Sequence, residues 1–332
     1  MSSLLELSNS LADTVEQAGS AVVAVNAGTR MSPSGIHWRH GIVVTSDESL
    51  QRYDEISVTL SDGRSVAATH LGHDSSTDIA VFQLPDVETP VAKIGDATTL
   101  KVGNLVLGIA RSNEGELRAA LGAVSVISGA WRSMNGGNID QFIRPDINLY
   151  PGFAGGPLVD AAGYVVGMNT SGRRGTALTI PAATVNRVID QLIAKGHIAR
   201  GYLGVGMQPV RLPDNLKTAL NLTAATGVIV VNVESAGPAD NAGVQLGDVL
   251  VTFDGTNVSD TADVMALLNS SDRVGKTVPM QVVRGGVLVE LAIAVGERPF
   301  EQSPRSERAE KANDFSHHRR GRHGRRGSSH SR

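Results

Sequence analysis

Between Ala21 and Ile180 the chain is a succession of short β-branched runs of five to seven residues, each cut off by Gly, Asp or Ser: Ala21–Val25, Gly41–Thr45, Glu55–Leu60, Ile79–Leu84, Leu105–Ile109, Ala123–Ile127 and Gly163–Asn169. Short strands punctuated in this way favour barrels or sandwiches over alternating β-α-β units. The 37 glycines supply the turns, and a hydrophobic fraction of 41% against 19% charged residues excludes a wholly disordered chain. The pattern changes at Pro181–Lys195, where Val185, Val188, Ile189, Leu192 and Ile193 share one helical face and Gly196 marks the stop. A second unit from about Arg200 to Arg298 mixes strands (Gly227–Val233, Asp248–Phe253, Val278–Val283, Val289–Val295) with a helix at Ala262–Leu268. The 332 residues have room for two or three domains.

The two ends differ. At the start, Leu4, Leu7, Leu11 and Val15 recur on one face of a helix predicted over about Ser2 to Gln17. That face carries no flanking basic stripe, so it is expected to dock on the core rather than on a membrane. At the other end, residues 301–332 hold nine Lys/Arg against four acids, a net of +5; with −3 overall, residues 1–300 carry −8. After Pro299 apolar periodicity stops, and the composition predicts a disordered basic tail. Between Ser316 and Arg332 lie six Arg, four His and no acid, so nucleic acid or an anionic surface is a conceivable partner. No aromatic is interleaved with those arginines, which leaves base stacking unsupported and favours a solvated tail.

Cysteine is absent, which excludes disulfides, thiolate metal sites and a cysteine nucleophile. No run reaches the ~20 apolar residues of a membrane-spanning helix. The first basic residue is Arg30 and no apolar core segment follows Met1, so a cytoplasmic location is expected. His37 and His40 flank Trp38, and His70 and His73 precede Asp78; all four are expected on the surface or in loops. No metal-ligand spacing such as His-Glu-x-x-His occurs, so neither a metal nor another cofactor is expected.

The most informative stretch is Tyr150-Pro151-Gly152-Phe153-Ala154-Gly155-Gly156-Pro157-Leu158. It resembles the nucleophile loop of the HtrA/Deg family of trypsin-like serine proteases, which reads Pro-Gly-Asn-Ser-Gly-Gly-Pro-Leu. Thr77-Asp78-Ile79-Ala80-Val81 is similar to the family's triad-aspartate segment, and Thr179-Ile180-Pro181 to the end of its second barrel. Gly201-Tyr202-Leu203-Gly204-Val205, Gly237-Pro238-Ala239 and Leu246-Gly247-Asp248-Val249-Leu250 resemble a PDZ domain of the same family. The resemblance, which covers about residues 20–298, implies a trypsin-like double β-barrel (20–197) and a PDZ domain with α+β structure (198–298). With the helix predicted from periodicity (1–19) and the basic tail (299–332), the chain is expected to be mostly β.

The resemblance also implies a damaged triad. Such chemistry needs a serine to attack, a histidine to take its proton and an aspartate to hold the imidazole. Asp78 matches the aspartate, but Ala154 stands in the serine slot and Glu48, in Thr45-Ser46-Asp47-Glu48-Ser49-Leu50, in the histidine slot. Without an imidazole to orient, Asp78 is expected to hold backbone N–H groups nearby. Gly152, Phe153 and Ala154 match the turn that forms the family's oxyanion hole, whether kept as a carbonyl- or carboxylate-binding pocket or as a turn that closes the barrel.

In the PDZ unit, Tyr202, Leu203, Gly204 and Val205 match the carboxylate-binding loop, with Leu203, Val205 and Val264 expected to line the groove and Leu268 to be core. The expected function is non-catalytic binding of C-terminal or unfolded peptide segments by a pseudoprotease, scaffold or chaperone-like protein, as a homo-oligomer, trimeric if it follows the family. The alternatives are a quality-control serine endopeptidase, if Ala154 replaces a natural serine, and anion or nucleic-acid binding through the tail.

Overall fold

A computed structural model of the chain describes residues 3–28, 32–50, 55–133, 135–172, 175–268 and 273–298. The basic tail, and with it the expectation of disorder and anion binding, lies outside the described residues.

The β-branched runs close into two six-stranded barrels. The first contains β1 (Val22–Asn26), β2 (Ser34–Arg39), β3 (Ile42–Thr45), β4 (Ile56–Thr59), β5 (Ser65–Asp74) and β6 (Ile79–Gln83), in the order β1-β2-β3-β6-β5-β4. The second contains β7 (Leu105–Arg111), β8 (Leu117–Ser128), β11 (Phe142–Asp146), β12 (Pro157–Asp160), β13 (Val165–Ser171) and β14 (Ala177–Pro181), in the order β11-β14-β13-β12-β7-β8. Between β8 and β11 a small hairpin pairs β9 (Trp131–Arg132) with β10 (Asn138–Ile139). Each barrel has its own apolar filling, including Val23, Val43, Val58 and Phe82 in the first and Val106, Ile143, Leu158 and Val166 in the second. Ile36, Val44, Ile109 and Met168 form a further cluster with the buried face of α2 (Ala182–Lys195).

That helix buries Val185, Val188, Ile189 and Leu192 as the 3.6-residue period requires, while Ile193 is exposed, at the edge of the stripe. The N-terminal helix α1 (Ser3–Gly19) departs further from expectation. Leu11 and Val15 pack on the core, but Leu4, Leu5 and Leu7 are exposed. The helix meets the barrels through its C-terminal half, from Leu11 on, where Thr14, Ala18 and Gly19 are buried. Arg111 anchors that end: Nη2 donates to Gly19 O at 2.7 Å, Nε to Val22 O at 2.6 Å and Nη1 to Gly115 O at 2.6 Å. Burial draws this guanidinium below its ordinary pKa.

The second unit comprises β15 (Gly201–Tyr202), β16 (Val205–Arg211), α3 (Asp214–Leu220), β17 (Thr226–Val233), α4 (Pro238–Asn241), β18 (Val249–Phe253), β19 (Thr256–Asn257), α5 (Thr261–Leu268), β20 (Thr277–Arg284), β21 (Val287–Ala294) and β22 (Gly296–Glu297). Its main sheet runs β16-β17-β18-β20-β21, which leaves β16 at an edge. Val228, Leu250, Phe253, Val264, Leu268 and Ile293 fill its core. The Asp248 side chain, fully buried, takes both arms of the Arg284 guanidinium at 2.8 Å and the Gln245 N–H at 2.8 Å.

Among the described residues, contacts that join this unit to the barrels and α2 include the Lys195 Nζ–Glu297 Oε2 ion pair at 3.5 Å and hydrogen bonds from two arginines. Arg200 Nη2 reaches buried Asp74 Oδ1 at 3.0 Å, and Arg132 on β9 donates to Ala262 O at 3.2 Å and Met265 O at 2.8 Å on α5. Among the described residues no helix is long and apolar enough to cross a membrane.

Candidate active site and peptide-binding loop

Asp78 precedes β6 with φ +58°, a left-handed conformation that Asp adopts more readily than most residues. Its carboxylate is buried and saturated by local donors. Ser46 Oγ donates at 2.8 Å to Oδ2, the Glu48 N–H at 2.7 Å to Oδ1, and Thr170 Oγ1 also to Oδ2. The donor set is therefore one backbone N–H and two hydroxyls, rather than the backbone N–H groups anticipated from sequence. Glu48 turns its side chain to solvent and offers Asp78 only its amide. Burial pushes Asp78 up to about 6, against the opposing pull of the Glu48 N–H, Thr170 and Ser46; the Glu48 charge adds to the rise.

A carboxyl whose pKa is higher folded than unfolded binds more protons in the native state, so its contribution to stability falls as pH rises from about 4 through about 6. Asp78→Asn keeps the donors' partner and tolerates the left-handed backbone while removing the buried charge. It is expected to stabilise the chain at pH 7.5 by about 1–3 kcal/mol, with the gain vanishing near pH 4. Thermal melts of both proteins across that range check the sign; a gain independent of pH would refute the account.

The turn before β12 is held from the first barrel. Ser34 N–H bridges Gly152 O (3.0 Å) and Ala154 O (3.1 Å), while Ser34 Oγ donates to Gly152 O at 2.6 Å and accepts from the Arg111 N–H at 2.9 Å. Gly155 has φ +81°, and a Cβ there would lie 2.3 Å from Ser34 O, so glycine is required for the two segments to meet. Phe153 is buried and its N–H donates to Tyr150 O; the N–H groups of Gly155 and Gly156 are likewise engaged. The N–H groups of Gly152 and Ala154 donate to no acceptor among the described residues. Two such amides in one turn can hold an oxyanion or a carboxylate. They break no bond alone.

Among the described residues no histidine is a partner of Asp78. His37, expected on the surface, is buried in β2: Gly41 N–H donates to Nε2 at 3.1 Å, so Nδ1–H donates to Pro90 O at 2.8 Å. That fixes a neutral ring, and burial lowers its pKa, the Pro90 carbonyl acting in the opposite sense. A barrel strand with a polar partner for each nitrogen lets the ring be buried, contrary to the surface or loop position expected for it. His40 is exposed near Asp86, and His70 and His73 are half-buried and stacked on β5. Among the described residues no cluster of three or more His, Asp or Glu could hold a metal.

In the PDZ unit, Gly204 has φ +73° and its carbonyl accepts from the Glu234 N–H at 2.8 Å. Such a backbone turn favours glycine and aims successive N–H groups outward. The N–H groups of Leu203 and Gly204 donate to no acceptor among the described residues. Leu203 is buried, and Tyr202 and Val205 are half-buried. Val264, expected as an open groove wall, is fully buried in the core, because α5 turns its Val264/Leu268 face inward at i, i+4 spacing. The half-buried apolar side chains beside the edge strand are Val205, Met207 and Leu267. Met207 was legible as the next same-side residue after Val205. Ser34 and Thr170 carried no such signal, since their partners are 118 and 92 residues away.

Two six-stranded barrels with a nucleophile-type turn, followed by a six-stranded sheet (β19 pairing with β18) with a carboxylate-type loop, define a trypsin-like peptidase fold joined to a PDZ domain. The sequence matches a trypsin-like peptidase domain over residues 33–168 and a PDZ domain over 201–295. A solved HtrA-type protease, AlgW with tripeptide, is 30% identical with a TM-score of 0.68, the match covering 88% of this chain and 98% of that one. The serine endoprotease from Yersinia pestis is 25% identical with a TM-score of 0.69 over 87% of this chain and 98% of that one. The chain belongs to the HtrA/Deg family of trypsin-like serine proteases with a PDZ domain.

Probable periplasmic serine endoproteases described as DegP-like are 33% identical over 271 residues in Chlamydia pneumoniae and 34% over 267 in Pseudomonas savastanoi pv. phaseolicola, covering 79% of this chain in each case. The chain spans 54% of the length of each of these relatives. Their periplasmic naming overturns the expectation of a cytoplasmic location, which rested on the first residues alone.

Proposed function

We propose that this chain binds the C-terminal ends of peptides through its PDZ domain and does not cleave them, acting as a pseudoprotease or chaperone-like member of protein quality control. The observation that carries the reading is the pairing of an edge strand, β16, with a loop whose Leu203 and Gly204 N–H groups lack acceptors among the described residues. An extended peptide completes such an edge with main-chain hydrogen bonds, and its terminal carboxylate satisfies the waiting amides. Val205, Met207 and Leu267 offer an apolar wall for the last side chain. The relatives solved with a tripeptide and with a decapeptide support peptide binding by analogy. The catalytic half of the reading rests on Ala154 and Glu48 standing in the serine and histidine slots.

A peptide from a C-terminal library, ending in a free carboxylate after an apolar residue, is expected to bind the full chain about ten- to a hundredfold more tightly than its amidated twin. Each charge-assisted hydrogen bond is worth ~1.5–3 kcal/mol, and the amide retains the shape but loses the charge. Fluorescence anisotropy measures the pair. Equal affinities would show that the loop does not read carboxylates.

A further inference from the structure

We propose that Glu234, with Asn232, forms a subsite on the outer face of the PDZ sheet that selects a basic side chain at the second-to-last position of the bound peptide; this rests on the peptide-binding reading above. The register sets the geometry. β16 pairs with β17 so that Val205 faces Val233 and Gly206 faces Asn232. Val205 and Val233 pack against the core. Alternation then places Gly206 and Asn232, and Gly204 opposite Glu234, on the outer face.

The distances agree with that placement. A Cβ on Gly206 would lie 3.0 Å from Asn232 Cβ, and one on Gly204 would lie 3.5 Å from both Cβ and Oε2 of Glu234. Along its outer face the edge strand is therefore bare next to the carboxylate loop, and the first side chains met are Asn232 and Val231 beside Gly206 and Glu234 and Pro238 beside Gly204. Of these four Glu234 carries the charge, and it is exposed, as is Asn232. The Tyr202 hydroxyl donates to Glu234 Oε2 and holds the carboxylate beside the loop. Arg298 acts electrostatically on the same hydroxyl and is the native cation with which an incoming charge shares this corner.

A peptide added to β16 as a strand directs its last side chain toward α5 and its second-to-last to the outer face. Neighbouring strands lie about 5 Å apart, so β17 is roughly 10 Å from the peptide. A lysine or arginine crosses the two glycines to reach Glu234, whereas an alanine stops short. A glutamate at that position meets like charge.

The test uses the full chain and three free-carboxylate peptides that differ only at the second-to-last residue, Lys, Ala or Glu, each ending in Val. Anisotropy titrations are expected to rank them Lys, Ala, Glu, with about three- to tenfold between the extremes, the range of a rim charge. Glu234→Gln should flatten the ranking and Glu234→Lys invert it, and added salt should compress it. Equal affinities in the unaltered chain, or an unchanged ranking in Glu234→Lys, would overturn the proposal while leaving peptide binding intact. Failure of all three peptides to bind would overturn both.

Discussion

Incubated with casein or a chromogenic peptide, the purified chain is expected to release no product above background and to remain unlabelled by a fluorophosphonate probe. Ala154 has no oxygen to attack a carbonyl, and no imidazole has taken over at Asp78, whose carboxylate is occupied by Ser46, Thr170 and the Glu48 amide. Loss of the serine or the histidine from a Ser-His-Asp triad costs about 10⁶ in rate, or ~8 kcal/mol of transition-state stabilisation. Ala154→Ser alone should not restore turnover, because the exposed Glu48 does not serve in turn as proton acceptor and donor at neutral pH as imidazole does. Combining Ala154→Ser with Glu48→His is expected to give measurable hydrolysis, since the Gly152 and Ala154 amides remain free to hold an oxyanion. Robust, fluorophosphonate-sensitive cleavage by the unaltered chain would sink the pseudoprotease reading.

Asp248→Ala is expected to destabilise the PDZ unit by about 3–5 kcal/mol, the cost of breaking one side of a buried ion pair. The substitution strips Arg284 of its bidentate partner and leaves the Gln245 N–H without an acceptor. Burial alone would raise the Asp248 pKa, but the Arg284 guanidinium and the Gln245 amide outweigh it and hold the carboxyl below its ordinary value. The pair therefore contributes its stability above the unfolded pKa of ~3.9 and loses it as pH falls through the depressed folded value. Urea unfolding of the full chain, followed by a peptide probe, should show the PDZ transition moved to lower denaturant while the barrel transition stays in place. A shift below about 1 kcal/mol would mean that Arg284 finds full compensation in water.

What the sequence made legible were the segments whose packing is local in sequence. Val185, Val188, Ile189 and Leu192 announced α2, and Gly196 its end, because one helix face meets one core. The strand β5 carries little sequence signal, since Ser65–Asp74 for the most part alternates exposed with half-buried positions and holds Ala, Thr and His where a strand signal wants Val or Ile. Val264 was misplaced because α5 spans only Thr261–Leu268, too short for its apolar period to separate a core face from a groove face. The candidate site followed from short motifs around Asp78, Ala154 and Gly204. Its supports did not: Ser34 and Arg111 act through contacts that only closure of the barrels creates.

The chain holds two tryptophans, and the fold gives them different neighbourhoods. Trp38, on β2, is sealed in the cluster that packs on α2, with its indole N–H on Asn186 Oδ1 of that helix at 2.9 Å. Trp131 is half-buried, lies edge-on to Phe142, and precedes the arginine that grips the carbonyls of α5. Its own indole N–H is buried without an acceptor among the described residues. Trp131 is thus one residue from the Arg132 grip on α5, whereas Trp38 hydrogen-bonds α2. Intrinsic fluorescence is expected to register loss of that grip at Trp131 without a label, and an emission spectrum unchanged by Arg132→Ala would refute the expectation.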